Sequence, residues 1–287
     1  VKGPTICGLA RCRPEDIDRS IEALAEGKRV RLHTFIGTSP QHREGILRKS
    51  AEEVLAMAVA SVQRARAAIK EVEFSAMDAA RTEFDYLCRV VEATIDAGAS
   101  VINIPDTVGY AMPWEFGDLI SRLLESVPNI GKAIISVHCH NDLGLATANS
   151  IEAVLHGATQ VECTINGLGE RAGNAALEEV AVILDTRREL KRRFETGINL
   201  KEIYRTSRLV REVTGMPVQP NKAIVGANAF AHSSGIHVDG VLKQRDTFEL
   251  IPPQKIGIEQ SQIVLTSRSG RHAVKHRCEG IGHTLTR

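Results

Sequence analysis

Two histidines one residue apart are the clearest chemical feature of this sequence. His138 and His140 directly follow the apolar run 133–137, whose β-branched residues predict a buried strand. Side chains alternate along a strand, so we expect both imidazoles on one face, at the carboxyl end of the strand. Paired imidazoles at such a position can bind a divalent metal. Two ligands alone do not make a metal site, however, and two histidines in a polar turn fit the same pattern.

A second polar segment follows the next predicted strand. Residues 166–174 read N-G-L-G-E-R-A-G-N, and the three glycines allow a tightly packed backbone before a predicted helix. Asn174 is either the N-cap of that helix or, through its amide oxygen, a ligand for Mg²⁺, Mn²⁺ or Zn²⁺. Glu170 and Arg171 are predicted to form an ion pair that stabilises this loop.

Alternating strands and helices are predicted to position these segments. The pattern predicts strands at 4–9, 29–36, 72–75, 101–104, 134–137 and 160–165, and helices at about 16–25, 50–69, 82–97, 113–124, 145–155 and 175–184. Such alternation predicts a parallel sheet, either a (β/α)₈ barrel or an open doubly wound sheet. No G-x-G-x-x-G follows the first strand, which disfavours a dinucleotide-binding sheet. Polar residues gather after the strand ends, as on the catalytic rim of a barrel.

Composition narrows the class of protein. The chain has 287 residues, a net charge of +1, 43% hydrophobic and 25% charged residues, which is typical of a globular protein and gives no reason to expect a nucleic-acid partner. The six cysteines are scattered, as reduced thiols of a cytosolic protein are. No apolar stretch is long enough for a membrane span and no signal peptide is evident. We therefore expect a cytoplasmic protein without a membrane partner.

Two regions are expected along the chain. Residues 1–190 carry the strand–helix units, whereas residues 195–287 read as a smaller, mainly helical subdomain. A basic run at 187–193 is typical of a solvated helix face, a helix is predicted at 200–214, and residues 221–239 read as a loop.

The motifs together resemble those of a known family. H-C-H-N-D at 138–142 and N-G-L-G-E-R-A-G-N at 166–174 are similar to signatures of the 2-isopropylmalate synthase family, and further matches lie at 31–39, 104–110, 233–237 and 265–271. The resemblance implies a (β/α)₈ TIM barrel followed by helical linker subdomains, usually as a homodimer. Six units are two short of a closed barrel, so by this resemblance the first two strand–helix units would precede Val1.

The resemblance also implies a reaction. Members condense acetyl-CoA with 3-methyl-2-oxobutanoate to give 2-isopropylmalate and CoA, the first committed step of leucine biosynthesis. A divalent metal, held here by His138, His140 and Asn174, would polarise the ketone.

Further residues acquire roles from the same resemblance. Thr107, otherwise a strand-end turn residue, would bind the oxo-acid carboxylate. His33 and Arg81 are further candidates for binding substrate, and His237 would help to activate the acetyl group. The residues expected to support the metal ligands are Asn141, Asp142, Glu170 and Arg171, with Asp142 orienting a ligand histidine.

Three departures from the family pattern affect what we expect of this chain. The family's R-D-G-E-Q strand, which carries an aspartate ligand, is absent; Met77 stands where an active-site glutamate is usual, and Phe248 where a tyrosine is usual. The chain also ends at Arg287, before the family's regulatory domain. We therefore expect a weakened metal site, as in a fragment of a longer enzyme.

Two alternatives remain open. One is a sister condensing enzyme, a citramalate or homocitrate synthase, which differs in the size of its oxo-acid pocket. The other is an inactive remnant that at most binds a partner and has no tight divalent metal site.

Overall fold

The structure is a computed structural model that describes residues 3–267 and 269–284. It divides into two compact units between Ala175 and Ala176. The predicted division lies between residues 190 and 195, whereas in the structure the helix at Leu177–Thr186 belongs to the second unit. The assignment of the two regions to a catalytic barrel and helical linkers stays a prediction.

The first unit contains a six-stranded parallel sheet whose strands follow one another in chain order. The strands are β1 (Ile6–Arg11), β2 (Val30–Gly37), β3 (Glu71–Met77), β4 (Val101–Asp106), β5 (Ile134–Cys139) and β6 (Gln160–Glu162). The connecting helices are α1 (Pro14–Leu24), α2 (Ala51–Ala68), α3 (Phe84–Asp96), α4 (Pro113–Ser126) and α5 (Ala146–Leu155). Sequential parallel strands joined by helices are the topology of a TIM barrel, which confirms the predicted fold class.

Helix α2 illustrates how the local sequence forms these elements. Ser50 and Glu53 form a capping box at its start, because the Ser50 hydroxyl accepts from the Glu53 N–H and the Glu53 carboxylate accepts from the Ser50 N–H. Val54, Ala58 and Val62 then recur every four residues and are fully buried. That spacing places them on one face of the helix, which buries against the sheet.

The two faces of the sheet differ in chemistry. One face is apolar and fully buried; its residues include Leu32, Phe74, Ile102 and Val137. The intervening positions form the other face, which is mainly polar, and include Arg31, His33, Glu73, Ser75, Asn103, Ser136, His138, Gln160 and Glu162. Register keeps this polar set together, since His33 lies opposite Glu73, and His138 opposite Glu162.

Some local elements differ from the sequence predictions. Strand β6 ends at Glu162 rather than at residue 165, because Ile165–Gly167 forms a 3₁₀ turn in which Asn166 has φ of 62°. Residues Gln41–Leu47, which lie between a predicted strand and a predicted helix, form a π-helical segment. Two other 3₁₀ turns lie at Ala79–Arg81 and Ile130–Lys132.

The second unit is mainly helical, as predicted. Its helices are α6 (Leu177–Thr186), α7 (Arg188–Lys191), α8 (Ile203–Thr214), α9 (Gly235–Lys243) and α10 (Arg271–Gly280); 3₁₀ turns lie at Leu200–Glu202, Arg245–Thr247 and Pro253–Ile256. Its two short parallel strands are β7 (Ala231–His232) and β8 (Gln262–Ile263). A core of Val182, Ile203, Val225 and Ile256 holds the unit together. Helix α9 begins inside the segment predicted as a loop. Across the described ranges of both units, no helix is both long and apolar enough to cross a membrane.

Candidate metal centre

The end of strand β5 positions two of the three predicted metal ligands. His138 lies in the strand and His140 just beyond it, with ring centroids 4.9 Å apart and ring planes at 76°. An antiparallel bridge joins His140 to Asn174, the third predicted ligand. Residues far apart in sequence therefore meet at the carboxyl end of the sheet, where barrel enzymes place their chemistry.

Unsatisfied polar atoms at this point fit a cation. Oδ1 of Asn174 and Nδ1 of His140 are buried and have no hydrogen-bond partner. The Asn174 amide is oriented by its own Nδ2, which donates to the Leu168 carbonyl at 2.8 Å. Leaving a buried acceptor unpaired costs about 1–3 kcal/mol, and a divalent metal would relieve that cost. The alternative that Asn174 is an N-cap is wrong, since Ala176 occupies that position.

The glycines of the loop allow this arrangement. Gly173 has φ of 92°, and a Cβ there would lie 2.0 Å from the Gly167 carbonyl oxygen. A Cβ on Gly169 would lie 2.1 Å from Nδ2 of Asn174. Larger residues at these two positions would therefore displace the loop that carries Asn174.

Glu162 holds the second ring nitrogen of His138, a contact that the sequence analysis missed. Its Oε2 lies 2.8 Å from Nδ1 of His138, and Nδ2 of Asn103 donates to the same oxygen at 3.3 Å. Its Oε1 lies 3.6 Å from Nδ1 of His33. The signal in the sequence was a glutamate within an apolar strand, but only the strand register shows that it faces His138.

Burial controls the charges around the histidines. It lowers the pKa of both His33 and His140, and the neighbouring His138 lowers both further. Neutral imidazole is the form that binds metals, so these shifts favour ligation at neutral pH. Burial by itself raises the pKa of the Glu162 carboxyl, but the hydrogen bond from His138 and the nearby histidine charges hold it below its usual value.

The acidic and basic loop residues pair differently from the prediction. Arg171 donates two hydrogen bonds to the Asp142 carboxylate, at 2.7 and 2.8 Å, and a third to the Thr107 carbonyl. The predicted Glu170–Arg171 pair is wrong, because the side chain of Arg171 reaches Asp142 across the loops instead. Both carboxylate oxygens of Asp142 thus accept hydrogen bonds from Arg171. The carboxylate that contacts a ligand histidine is that of Glu162, rather than the predicted Asp142. Asn141 accepts from the Ala146 N–H at the start of α5.

The predicted substrate-binding residues fall into two groups. Thr107 and His33 line a cavity of about 170 Å³ together with His138 and His140. Arg81 is not among the residues that line this cavity, and its guanidinium donates to the buried Asp78 carboxylate at 2.7–3.1 Å. The backbone N–H of Asp78 donates to Oγ1 of Thr107 at 2.9 Å. That hydroxyl therefore keeps its own proton available for a substrate.

Two departures from the family pattern have structural consequences. Met77 ends β3 and lines the same cavity, where it offers a thioether and no titratable group. Phe248, which stands where the family usually has a tyrosine, lies against His237 with ring centroids 4.3 Å apart. His237 belongs to α9 of the second unit and is exposed.

Cys7, His33 and Glu73 form another group of potential ligands, with ligand atoms within 4.8 Å of one another. Burial and the charge of Glu73 raise the pKa of the Cys7 thiol to about 11, which disfavours the thiolate that a metal needs. Glu73 already accepts from Arg31 at 3.0 Å and from Gln160 at 3.0 Å. This group is better described as a hydrogen-bonded network.

Comparison with known families decides the classification. The model of the HMGL-like family matches residues 1–210, which include the whole sheet and the three candidate ligands. The chain belongs to the HMGL-like family. A second model, described as the homocitrate synthase post-HMGL domain-like family, matches residues 224–287.

Two curated relatives with high sequence identity to this chain are both named 2-isopropylmalate synthase. The chain is 57% identical over 284 residues to a 2-isopropylmalate synthase of Shewanella oneidensis, covering 99% of this chain and 54% of that protein. It is 58% identical over 286 residues to a 2-isopropylmalate synthase of Syntrophus aciditrophicus, covering 100% of this chain and 55% of that protein. The resemblance inferred from the motifs is thus confirmed. The chain spans about half the length of these relatives.

Solved structures with the HMGL-like fold agree with the architecture. An HMG-CoA lyase of Bacillus subtilis superposes with a TM-score of 0.61 at 24% identity, covering 76% of this chain and 73% of that one. An HMG-CoA lyase of Acinetobacter baumannii, in complex with coenzyme A and 3-methylmalate, gives 0.63 at 20% identity, covering 78% and 74%. At these identities the likeness shows the fold alone.

Proposed function

We propose that this chain carries the metal centre of a 2-isopropylmalate synthase, which condenses acetyl-CoA with 3-methyl-2-oxobutanoate. The observation that supports this most directly is the pair of unpartnered buried atoms, Oδ1 of Asn174 and Nδ1 of His140, beside His138. The sequence identity of 57% and 58% to two 2-isopropylmalate synthases supports the choice of reaction.

The residues of the site would each bind or orient a reactant. His138, His140 and Asn174 would hold a divalent cation, Mg²⁺, Mn²⁺ or Zn²⁺, which when bound supplies Lewis acidity toward the ketone oxygen of the 2-oxo acid. The Thr107 hydroxyl, which accepts from Asp78, would donate to the carboxylate of the 2-oxo acid. His33 lines the same cavity, with its Nδ1 3.6 Å from Oε1 of Glu162, and would contact the substrate from there.

Three further points belong to the proposal, and the first two rest on sequence alone. We propose that His237 acts on the acetyl group, that the protein works as a cytoplasmic homodimer, and that Arg81 acts through Asp78 and Thr107 rather than by touching the substrate. The last point follows from the three hydrogen bonds that commit its guanidinium to Asp78.

Met77 favours a second candidate function. A thioether cannot accept a proton or carry a charge, so the cavity of this chain lacks at that position the group that the resemblance implies. The second candidate is therefore a protein that binds the metal and the 2-oxo acid but condenses them slowly or not at all.

One assay separates these possibilities. The purified chain is mixed with Mn²⁺, acetyl-CoA and 3-methyl-2-oxobutanoate, and release of CoA thiol is followed, with pyruvate and 2-oxoglutarate as competing acceptors. Faster release with 3-methyl-2-oxobutanoate, abolished by His140→Ala, supports the synthase; preference for another acceptor overturns the choice of substrate. Release that is absent in the wild type and restored by Met77→Glu supports the second candidate. Absence of CoA release in the wild type and in Met77→Glu, together with absence of metal binding, overturns the proposed function.

A further inference from the structure

The carboxylate of Glu162 occupies a central place in the polar face of the sheet. It lies directly opposite His138 in the parallel register of β5 and β6, with Oε2 2.8 Å from Nδ1 of that ring. It is itself held in place, since Asn103 donates to Oε2 at 3.3 Å and also donates to Oγ of Ser75 at 2.8 Å. Ser75 in turn contacts Nε2 of His33 at 2.7 Å, and Nδ1 of His33 lies 3.6 Å from Oε1 of Glu162.

This geometry has a consequence for the protonation of His138. A neutral imidazole has one N–H, whereas an ionised carboxylate only accepts hydrogen bonds. The 2.8 Å contact therefore requires the proton of His138 to be on Nδ1. Nε2 then carries the free lone pair, and it is the nitrogen that can bind a metal.

We propose that Glu162 is a positioning residue of the metal centre, which holds His138 in its Nδ1–H tautomer with Nε2 directed to the cation. The inference rests on the proposed function for the identity of the centre, and it assigns to Glu162 a role that the motif comparison did not give it. Partners of this kind fix both the ring orientation and the basicity of a ligand histidine, and their loss weakens metal binding by about 10–100-fold.

The first test reads the tautomer directly in the metal-free protein. Nitrogen-15 NMR of the histidine side chains, recorded well above the ordinary imidazole pKa of about 6.5, distinguishes protonated from unprotonated ring nitrogens. His138→Gln identifies the His138 signals. We expect the Nδ1–H form in the wild type and a shift toward the Nε2–H form in Glu162→Leu. An Nε2–H tautomer in the wild type overturns the inference, even if the chain binds no metal.

The second test measures metal affinity. Titration with Mn²⁺ or Zn²⁺ by calorimetry should show a loss of about 10–100-fold for Glu162→Leu. Glu162→Gln keeps an oxygen acceptor of the same reach, so it should retain the tautomer and lose less affinity. Glu71→Gln is the matched control. Glu71 lies on the same face of the sheet, but its carboxylate contacts Arg31 rather than a histidine, so this variant should bind metal as the wild type does.

The outcomes distinguish this inference from the proposed function. A metal affinity in Glu162→Leu within about twofold of the wild type, with His140→Ala abolishing binding, overturns the role of Glu162 and leaves the centre intact. Tautomer and affinity changes as expected, in a chain that releases no CoA in any variant, support the inference and overturn the reaction. A loss of thermal stability in Glu162→Leu without a change of tautomer indicates a structural role only and also overturns the inference.

Discussion

Glu73 should make the stability of the first unit depend on pH in a direction opposite to that of most carboxylates. Burial and the adjacent charge of Glu162 raise the pKa of the Glu73 carboxyl from 4.5 to about 7, although Arg31 opposes the rise. Between these two values the folded chain keeps a proton that the unfolded chain releases. The free energy of unfolding should therefore fall as the pH rises through this window, and the contribution of Glu73 is most favourable below pH 4.5.

The size of the effect follows from the shift. Each pH unit corresponds to about 1.4 kcal/mol, so the interval from 4.5 to about 7 gives at most about 3 kcal/mol. Glu73→Gln removes the titrating group but keeps the side-chain shape, so the fall across the window should shrink by up to that amount. Because Glu73 and Glu162 interact, removing Glu73 also changes the titration of Glu162, so the difference between the two proteins reports on the pair of carboxyls.

Urea denaturation followed by circular dichroism at several pH values measures this difference. Glu71→Gln is the control, since Glu71 shares the Arg31 contact but its side chain is 46% exposed, and it should keep the pH dependence of the wild type. Equal pH dependence in the wild type and in Glu73→Gln would refute the reasoning, because the buried carboxyl would then titrate as it does in the unfolded chain.

Two further predictions concern the loops around the candidate ligands. Gly173→Ala should destabilise the chain by more than about 1 kcal/mol and weaken Mn²⁺ binding, because Gly173 has φ of 92° and an added Cβ would lie 2.0 Å from the Gly167 carbonyl oxygen. Calorimetry and thermal unfolding measure these effects, and Gly131→Ala is the control, since a Cβ there meets no atom within 4 Å. Arg171→Lys should lose the two-pronged contact with Asp142 and speed amide hydrogen exchange of Asn141, whose N–H donates to the Gly173 carbonyl between the two loops, and of Asn174, whose N–H donates to the Gly167 carbonyl within its own loop. Overall stability should change by less than about 1 kcal/mol. Arg64→Lys removes a similar two-pronged pair with Asp18, remote in sequence from these loops, and should leave that exchange unchanged; equal exchange in both variants would contradict the role of Arg171.

The order of strands and helices was predictable because it depends on local sequence. Apolar runs gave the positions of β2 and β5, and the Ser50–Glu53 capping box gave the start of α2. The end of β6 was missed because Asn166 adopts a left-handed conformation, which the apolar pattern does not reveal. The helix at Gln41–Leu47 was missed for a similar reason, since a π-helical segment does not repeat with the ordinary helical period.

The site was less accessible from the sequence, because it depends on contacts between distant strands. The pair His138 and His140 could be placed from strand alternation alone. The partner of His138 could not, because Glu162 reaches it only through the register of β5 and β6. Arg171 was assigned to its neighbour Glu170, whereas its long side chain reaches Asp142, 29 residues earlier in the chain.

Anomalous X-ray diffraction from crystals of the chain grown with Zn²⁺ tests the metal centre most directly. We predict an anomalous peak about 2.0–2.2 Å from Nε2 of His138, from a ring nitrogen of His140 and from Oδ1 of Asn174. A peak coordinated by Cys7, His33 and Glu73 instead, or bound zinc with no contact to His138 and His140, would contradict the central claim.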